Sequence, residues 1–305
     1  MKKRLFVTGL SGFVGQHLKA YLDRSPELGW RLVETERFDL LRAEALDAAV
    51  AEARPDAVIH LAGQTFVPAA FRDPAATFEV NLLGTLNLLQ ALKRSGFNGS
   101  FLYVSSGDVY GQVDEQSLPI REEMPPRPRN PYAVSKVAAE LLCQQWSYTE
   151  GWRIMLARPF NHVGAGQKDS FVLASAAQQV ARIRLGLQAP CLEVGDVDVT
   201  RDFLDVEDVV NAYFHILDKG TGGEIYNVCS GQERSIRELI LQLAELAGVD
   251  LELVQDPARM RRAEQRRVCG SHAKLRNATG WKPNITIKQT LTTMLSDWES
   301  RVSQQ

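Results

Sequence analysis

The sequence predicts an α/β protein built on a doubly wound parallel sheet, with a smaller C-terminal lobe interwoven with it. Three observations predict this. Short apolar runs alternate with amphipathic stretches through the first half, a glycine-rich turn joins the first strand to the first helix, and the second half is less regular. Strands joined by helical crossovers form parallel sheets whose two faces are both covered.

The elements can be justified in order. Arg4 to Thr8 reads as a buried strand, and Gly12 to Tyr21 as a helix with Val14, Leu18 and Leu22 on one face. Further strands are expected at Arg31–Glu34, Asp56–Ala62, Ser100–Ser105 and Arg153–Arg158. Leucines at helical spacing mark Asn81–Lys93 as a helix, and a longer one is expected over Tyr132–Tyr148. Beyond these, helices are expected at Asp169–Gly186, Glu207–Asp218, Ile236–Ala247 and Ile287–Ser300. Short strands should form at Cys191–Val194 and Glu224–Val228. Residues 1–160 with a return segment near 203–231 should make the larger lobe, and most of 161–305 the smaller one.

Composition narrows the function. In 305 residues, 45% are hydrophobic and 24% charged, the balance of an ordinary soluble globular protein. A net charge of −2 gives no general attraction for nucleic acid or acidic membranes. The four cysteines are scattered and the five histidines do not cluster, so reduced thiols and no metal are expected. The first apolar run breaks at Thr8-Gly9 and no segment is long and apolar enough to span a bilayer, so a cytoplasmic location is expected.

Two motifs carry the chemistry. Thr8-Gly9-Leu10-Ser11-Gly12-Phe13-Val14-Gly15 lets the backbone approach a pyrophosphate, which the N-terminus of the next helix then faces. Tyr132-Ala133-Val134-Ser135-Lys136 places a phenol and an ammonium one helical turn apart, where the cation should lower the phenol's pKa. Upstream, the strand ending at Ser105-Ser106 opens into Gly107-Asp108-Val109-Tyr110-Gly111, where a serine hydroxyl could polarise a carbonyl. An acidic residue after the second strand, Glu34 or Glu36, would suit NAD, whereas Arg37 could meet the 2′-phosphate of NADP; the latter is preferred.

The glycine spacing, the Ser106 element and the YxxxK helix together resemble the extended short-chain dehydrogenase/reductases, Rossmann-fold oxidoreductases. The resemblance implies Ser106, Tyr132 and Lys136 as the catalytic set. It also places Gly9, Gly12, Phe13, Val14, Gly15, Asp39, Leu40, Leu61, Ala62 and Gly63 around the dinucleotide. Gln64-Thr65-Phe66-Val67, Asn81-Leu82-Leu83-Gly84-Thr85, Arg158-Pro159-Phe160-Asn161-His162, Arg201-Asp202-Phe203, Asp205-Val206-Glu207-Asp208, Arg261-Arg262-Ala263-Glu264 and Gly280-Trp281-Lys282-Pro283 are similar to the nucleotide-sugar branch. The likeness is to the GDP-mannose 4,6-dehydratases and the reductases that follow them. It implies a GDP-sugar substrate lined by Gln64, Ser105, Ser106, Asp108, Asn161, Arg201, Arg261 and Glu264, and a homodimer pairing the helices at 81–93 and 132–148. Dehydratases of this branch carry a glutamate where the shorter Asp108 stands, and are longer chains with a longer loop after strand two. Both departures favour C4-ketone reduction, yielding GDP-D-rhamnose, over a 4,6-dehydratase or an epimerase. A dinucleotide sensor would lack part of the Ser-Tyr-Lys set, which is complete here.

Overall fold

The computed structural model describes residues 2–256 and 265–304. Its strands are β1 (Lys3–Thr8), β2 (Trp30–Val33), β3 (Ala57–His60), β4 (Ser100–Val104), β5 (Arg153–Pro159), β6 (Asn161–Val163), β7 (Cys191–Val194), β8 (Thr200–Asp205), β9 (Ile225–Val228), β10 (Glu233–Ser235) and β11 (Glu252–Gln255). Its helices are α1 (Phe13–Arg24), α2 (Ala43–Ala53), α3 (Val67–Arg72), α4 (Pro74–Phe78), α5 (Gly84–Arg94), α6 (Pro131–Thr149), α7 (Val172–Arg184), α8 (Val206–Lys219), α9 (Ile236–Ala247), α10 (Ala273–Thr279) and α11 (Ile287–Ser303).

Six parallel strands form the main sheet in the order β2-β1-β3-β4-β5-β9. The chain winds outward from β1 to β2 and then in the other direction from β3, so the strand order reverses at β1 and β3. A crevice opens beyond the C-terminal strand ends at such a switch point. Strand periodicity sorts the core. Leu5, Val7, Ala57, Ile59, Leu102, Val104, Met155 and Ala157 face α1 and α8, whereas Phe6, Val58, Phe101, Tyr103, Ile154 and Leu156 face α2, α5 and α6.

A separate core joins α7, α9 and α11 to β7, around Leu173, Val180, Leu192, Ile240, Leu243, Met294 and Trp298. The small sheet β10-β8-β6 and the ribbon β11-β7 belong to this second half. Leu275 of α10 and Trp281 instead pack in the main-sheet core, with Tyr213 and Val228. The tail therefore crosses back to the larger lobe before α11 returns to the smaller one.

Candidate active site

Each catalytic candidate is positioned by local chemistry. Asn130 caps α6, its side chain accepting from Ala133 N at 2.7 Å, and Pro131 opens the helix. This fixes Tyr132 in the first turn and Lys136 one turn later on the same face. Ser106 begins a short 3₁₀ turn after β4, with its Oγ accepting from Asp108 N at 3.1 Å. Its hydroxyl lies near enough to the Tyr132 phenol to favour the phenolate. The structure thus joins serine, tyrosine and lysine at the C-terminal end of β4.

One electrostatic expectation is overturned. Burial pushes the Tyr132 phenol above its usual range, the nearby Asp108 carboxylate pushes the same way, and only the Ser106 hydroxyl opposes them. Lys136 does not prime the phenol here. Its Nζ donates to Val104 O at 2.7 Å and lies 4.8 Å from the centroid of the Tyr103 ring. Burial lowers the lysine to about 8, opposed by Glu140 and Cys143. Glu140 is one turn further along α6 and grips Arg158 of β5 through two bonds of 2.9 and 2.6 Å. Arg158 also lies over the Tyr110 ring, whose hydroxyl donates to Asn227 at 2.7 Å.

The dinucleotide elements fit a bound diphosphate. Gly9 has φ of +77°, and a methyl there would sit 2.7 Å from Ala62 N; one on Gly15 would fall 2.5 Å from the carbonyl oxygens of Gly9 and Leu10. No side chain caps the N-terminus of α1. The turn is therefore close-packed from behind and presents free backbone N–H groups in front. Lys136 adjoins the Leu61-Ala62-Gly63 loop, since a methyl on Gly63 would lie 3.9 Å from its Nζ. Val14 packs against the main core, whereas Phe13 contacts His17 and stacks parallel to His162 at 6.2 Å, on the side of the smaller lobe. Asp39 accepts from Leu41 N, and Leu40 is buried beneath Gly84. Glu34 pairs with Lys19 at 2.7 Å, while Arg37 is exposed.

On the substrate side the expected residues divide. Ser105 is buried with its Oγ unpaired, beside Ser106. Asn161 is exposed at the start of β6, and Arg201 donates to Thr200 O and Arg266 O. Gln64 shapes its own loop instead, donating to Thr77 Oγ1 and accepting from Phe66 N. Arg261 and Glu264 lie outside the described residues.

Asn81, which the sequence quoted without a role, is buried and ties the Gln64 loop to α6. It sits in a single π-helical turn (79–83) preceding α5, a form common at functional sites. Its Oδ1 accepts from Gln64 N at 2.7 Å, and its Nδ2 donates to Gln64 O and to Ser135 Oγ at 3.0 and 2.9 Å. Three aspartates of the 201–208 stretch are structural clamps. Asp202 accepts from Ser230, Gly231 and Gly270, Asp205 from Glu207 N and Thr290, and Asp208 from Asn284 and Ile285.

The family model for GDP-mannose 4,6 dehydratase matches residues 31–294. The chain belongs to that family. Within it, the GDP-6-deoxy-D-mannose reductase of Pseudomonas aeruginosa is 67% identical over 306 residues, covering 100% of both chains. A solved structure of RMD from Pseudomonas aeruginosa complexed with NADPH superposes with a TM-score of 0.94 at 67% identity, over 98% of this chain and 100% of that one. The UDP-glucose 4-epimerase of Thermus thermophilus, in complex with NAD, gives 0.85 at 32% identity, over 97% and 98%. The Rossmann-type fold of these solved structures is the fold of this GDP-mannose dehydratase family member. Among the described residues, no helix is long and apolar enough to cross a membrane.

Proposed function

We propose that this protein is an NADPH-dependent reductase that converts the C4 ketone of GDP-4-keto-6-deoxy-D-mannose into the alcohol of GDP-D-rhamnose. The observation that carries this reading is the meeting of Ser106, Tyr132 and Lys136 at the C-terminal edge of the sheet, where Lys136 is anchored on Val104 O and the Ser106 hydroxyl faces the Tyr132 phenol. It stands in a chain 67% identical, end to end, to a GDP-6-deoxy-D-mannose reductase.

Gly9, Gly12, Gly15 and the first turn of α1 would hold the cofactor diphosphate. Asp39 and Leu40 would meet the adenine, and Leu61, Ala62, Gly63 and Lys136 the nicotinamide ribose. Exposed Arg37 would take a 2′-phosphate, which favours NADP(H) over NAD(H), since Glu34 is engaged by Lys19. When bound, the reduced nicotinamide supplies the hydride to C4. Ser106 orients the ketone oxygen, and Tyr132 delivers a proton to it as negative charge develops. The raised phenol pKa keeps that proton on Tyr132 until it is needed. Lys136 holds the ribose hydroxyls and adds positive charge beside the phenol once it leaves Val104 O.

In this reading residues 1–160 and about 203–231 carry the dinucleotide, and 161–305 mainly carry the GDP-sugar through Asn161, Arg201, Arg261 and Glu264. The active species is a homodimer. Leu141 and Tyr148, 61% and 84% exposed, continue the apolar stripe begun by Val134 on α6, and Leu83 lies exposed before α5. A second copy covering this face would bury them; a monomer by light scattering would remove that part of the reading.

The functional test mixes enzyme and NADPH with GDP-4-keto-6-deoxy-D-mannose or GDP-mannose and follows the reduced cofactor. One NADPH consumed per keto sugar, and none with GDP-mannose, is expected. No consumption with the keto sugar would overturn the proposal.

A further inference from the structure

His60 lies at the end of β3, 1% exposed, with both ring nitrogens engaged: Nδ1 is 2.6 Å from Thr8 Oγ1 and Nε2 is 3.0 Å from Thr85 Oγ1. The proton positions follow from the partners. Thr85 has one hydroxyl proton, which it donates to Asn81 O at 2.6 Å, so its oxygen must accept from His60 Nε2–H. A neutral ring carries a single N–H, so Nδ1 accepts from the Thr8 hydroxyl. The Thr8 oxygen in turn accepts from Ala62 N at 3.2 Å. The other tautomer would oblige Thr85 to donate to the ring and release Asn81 O.

Every bond in this series runs one way. Ala62 N–H donates to Thr8, Thr8 to His60, His60 to Thr85, and Thr85 to Asn81 O. The side chain of Asn81 then donates to Ser135 Oγ at 2.9 Å, and Ser135 donates to Tyr132 O at 2.7 Å. The two ends are the loop expected against the cofactor ribose and the helical turn that carries the phenol.

We propose that His60 is a positioning residue: a neutral imidazole, locked as the Nε2–H tautomer, that couples the Leu61–Gly63 cofactor loop to the catalytic turn of α6. The ring stays neutral because burial lowers it to about 3, with Lys136 adding repulsion. The other groups packed near it are the rings of Phe101 and Tyr103 on β4, neither of them charged. Cofactor seated against Ala62 would therefore be felt at the Tyr132 backbone. The kinetic consequence rests on the reductase reading, whereas the tautomer and its response to NADPH do not.

The test is ¹⁵N NMR of histidine-labelled protein, with the His60 signals assigned by their loss in His60→Leu. A proton on Nε2 with no titration between pH 5 and 8, and a shift of these signals on adding NADPH, are expected. A proton on Nδ1, or signals that NADPH leaves in place, would overturn the proposal. In turnover assays well below the melting temperature, His60→Leu should lower kcat on the order of tenfold to a hundredfold, with little change in KM for the sugar. Leu243→Ala, in the distant core of α9, supplies a destabilised control and should keep kcat. An equal loss of kcat in both variants would mean His60 acts only through stability, and would refute the coupling. If neither wild type nor variant turns over the keto sugar, the reductase reading has failed while the NMR result still decides the proposal.

Discussion

Glu140→Gln should harm this protein twice, through its stability and through its pH profile. The side chains of Glu140 and Arg158 are each 3% exposed and share two hydrogen bonds. Arg158 is buried and its guanidinium lies over the Tyr110 ring. Removing one member of such a buried pair strands the other charge and costs about 3–5 kcal/mol. Arg158→Met should cost a similar amount, while the double variant strands no charge and should recover most of it. The catalytic consequences of the two single changes have opposite signs. Burial lowers Lys136 to about 8, and the Glu140 carboxylate is the chief group keeping it from falling further. Without that carboxylate the ammonium deprotonates at lower pH, and the alkaline limb of kcat/KM moves down. Without Arg158 the carboxylate acts on Lys136 unopposed and the limb moves up. Urea unfolding of the four proteins and pH profiles from pH 6 to 10 read both effects. Single-variant losses below about 1 kcal/mol, or limbs moving in the same direction, would refute the reasoning.

Other outcomes follow from the same geometry. Tyr132→Phe should bind NADPH as the parent does and lose turnover by roughly 10²–10⁴-fold, read by fluorescence titration and steady-state rates. Gly15→Ala puts a methyl 2.5 Å from two carbonyl oxygens that cannot retreat, so NADPH affinity should fall on the order of tenfold or more by calorimetry. Because His60 is lowered from 6.5 to about 3, the unfolded chain binds more protons between those values. That share of stability is complete above pH 6.5 and is lost as pH falls toward 3, roughly 4–5 kcal/mol in all. His60→Gln should flatten this part of the stability-versus-pH curve, as measured by denaturant unfolding.

What the sequence disclosed, and what it concealed, has a physical basis. The glycine turn and the YxxxK helix are contiguous in sequence, so spacing alone placed Gly9, Gly15, Tyr132 and Lys136. The helix Ile236–Ala247 was legible to the residue because its apolar period is clear and Ser235 caps it. Helix α2 went unread although Leu46, Ala49, Val50 and Ala53 repeat at helical spacing, because alanine is a weak marker of a buried face. The strands β6 and β10, three residues each, are too short to show a period, and the six residues of β8 carry Arg201, Asp202 and Asp205 among only two apolar side chains. Buried polar networks are the harder loss. His60, Thr85 and Asn81 are remote from one another in sequence, and nothing local says that an isolated histidine will have both nitrogens satisfied. Glu140 did leave a trace, as the next residue in the four-residue stripe from Tyr132 through Lys136. Asp202, Asp205 and Asp208 look like site residues by their charge, yet each satisfies backbone donors where loops meet.

The most direct measurement supplies GDP-4-keto-6-deoxy-D-mannose with NADPH deuterated at the transferring C4 position of the nicotinamide, and analyses the product sugar by mass spectrometry and NMR. If Ser106 and Tyr132 serve a hydride transfer, each product molecule gains one deuterium at sugar C4, and none when the label is in the solvent instead. Product with hydrogen at C4, or deuterium drawn there from water, would mean that this site performs a different reaction.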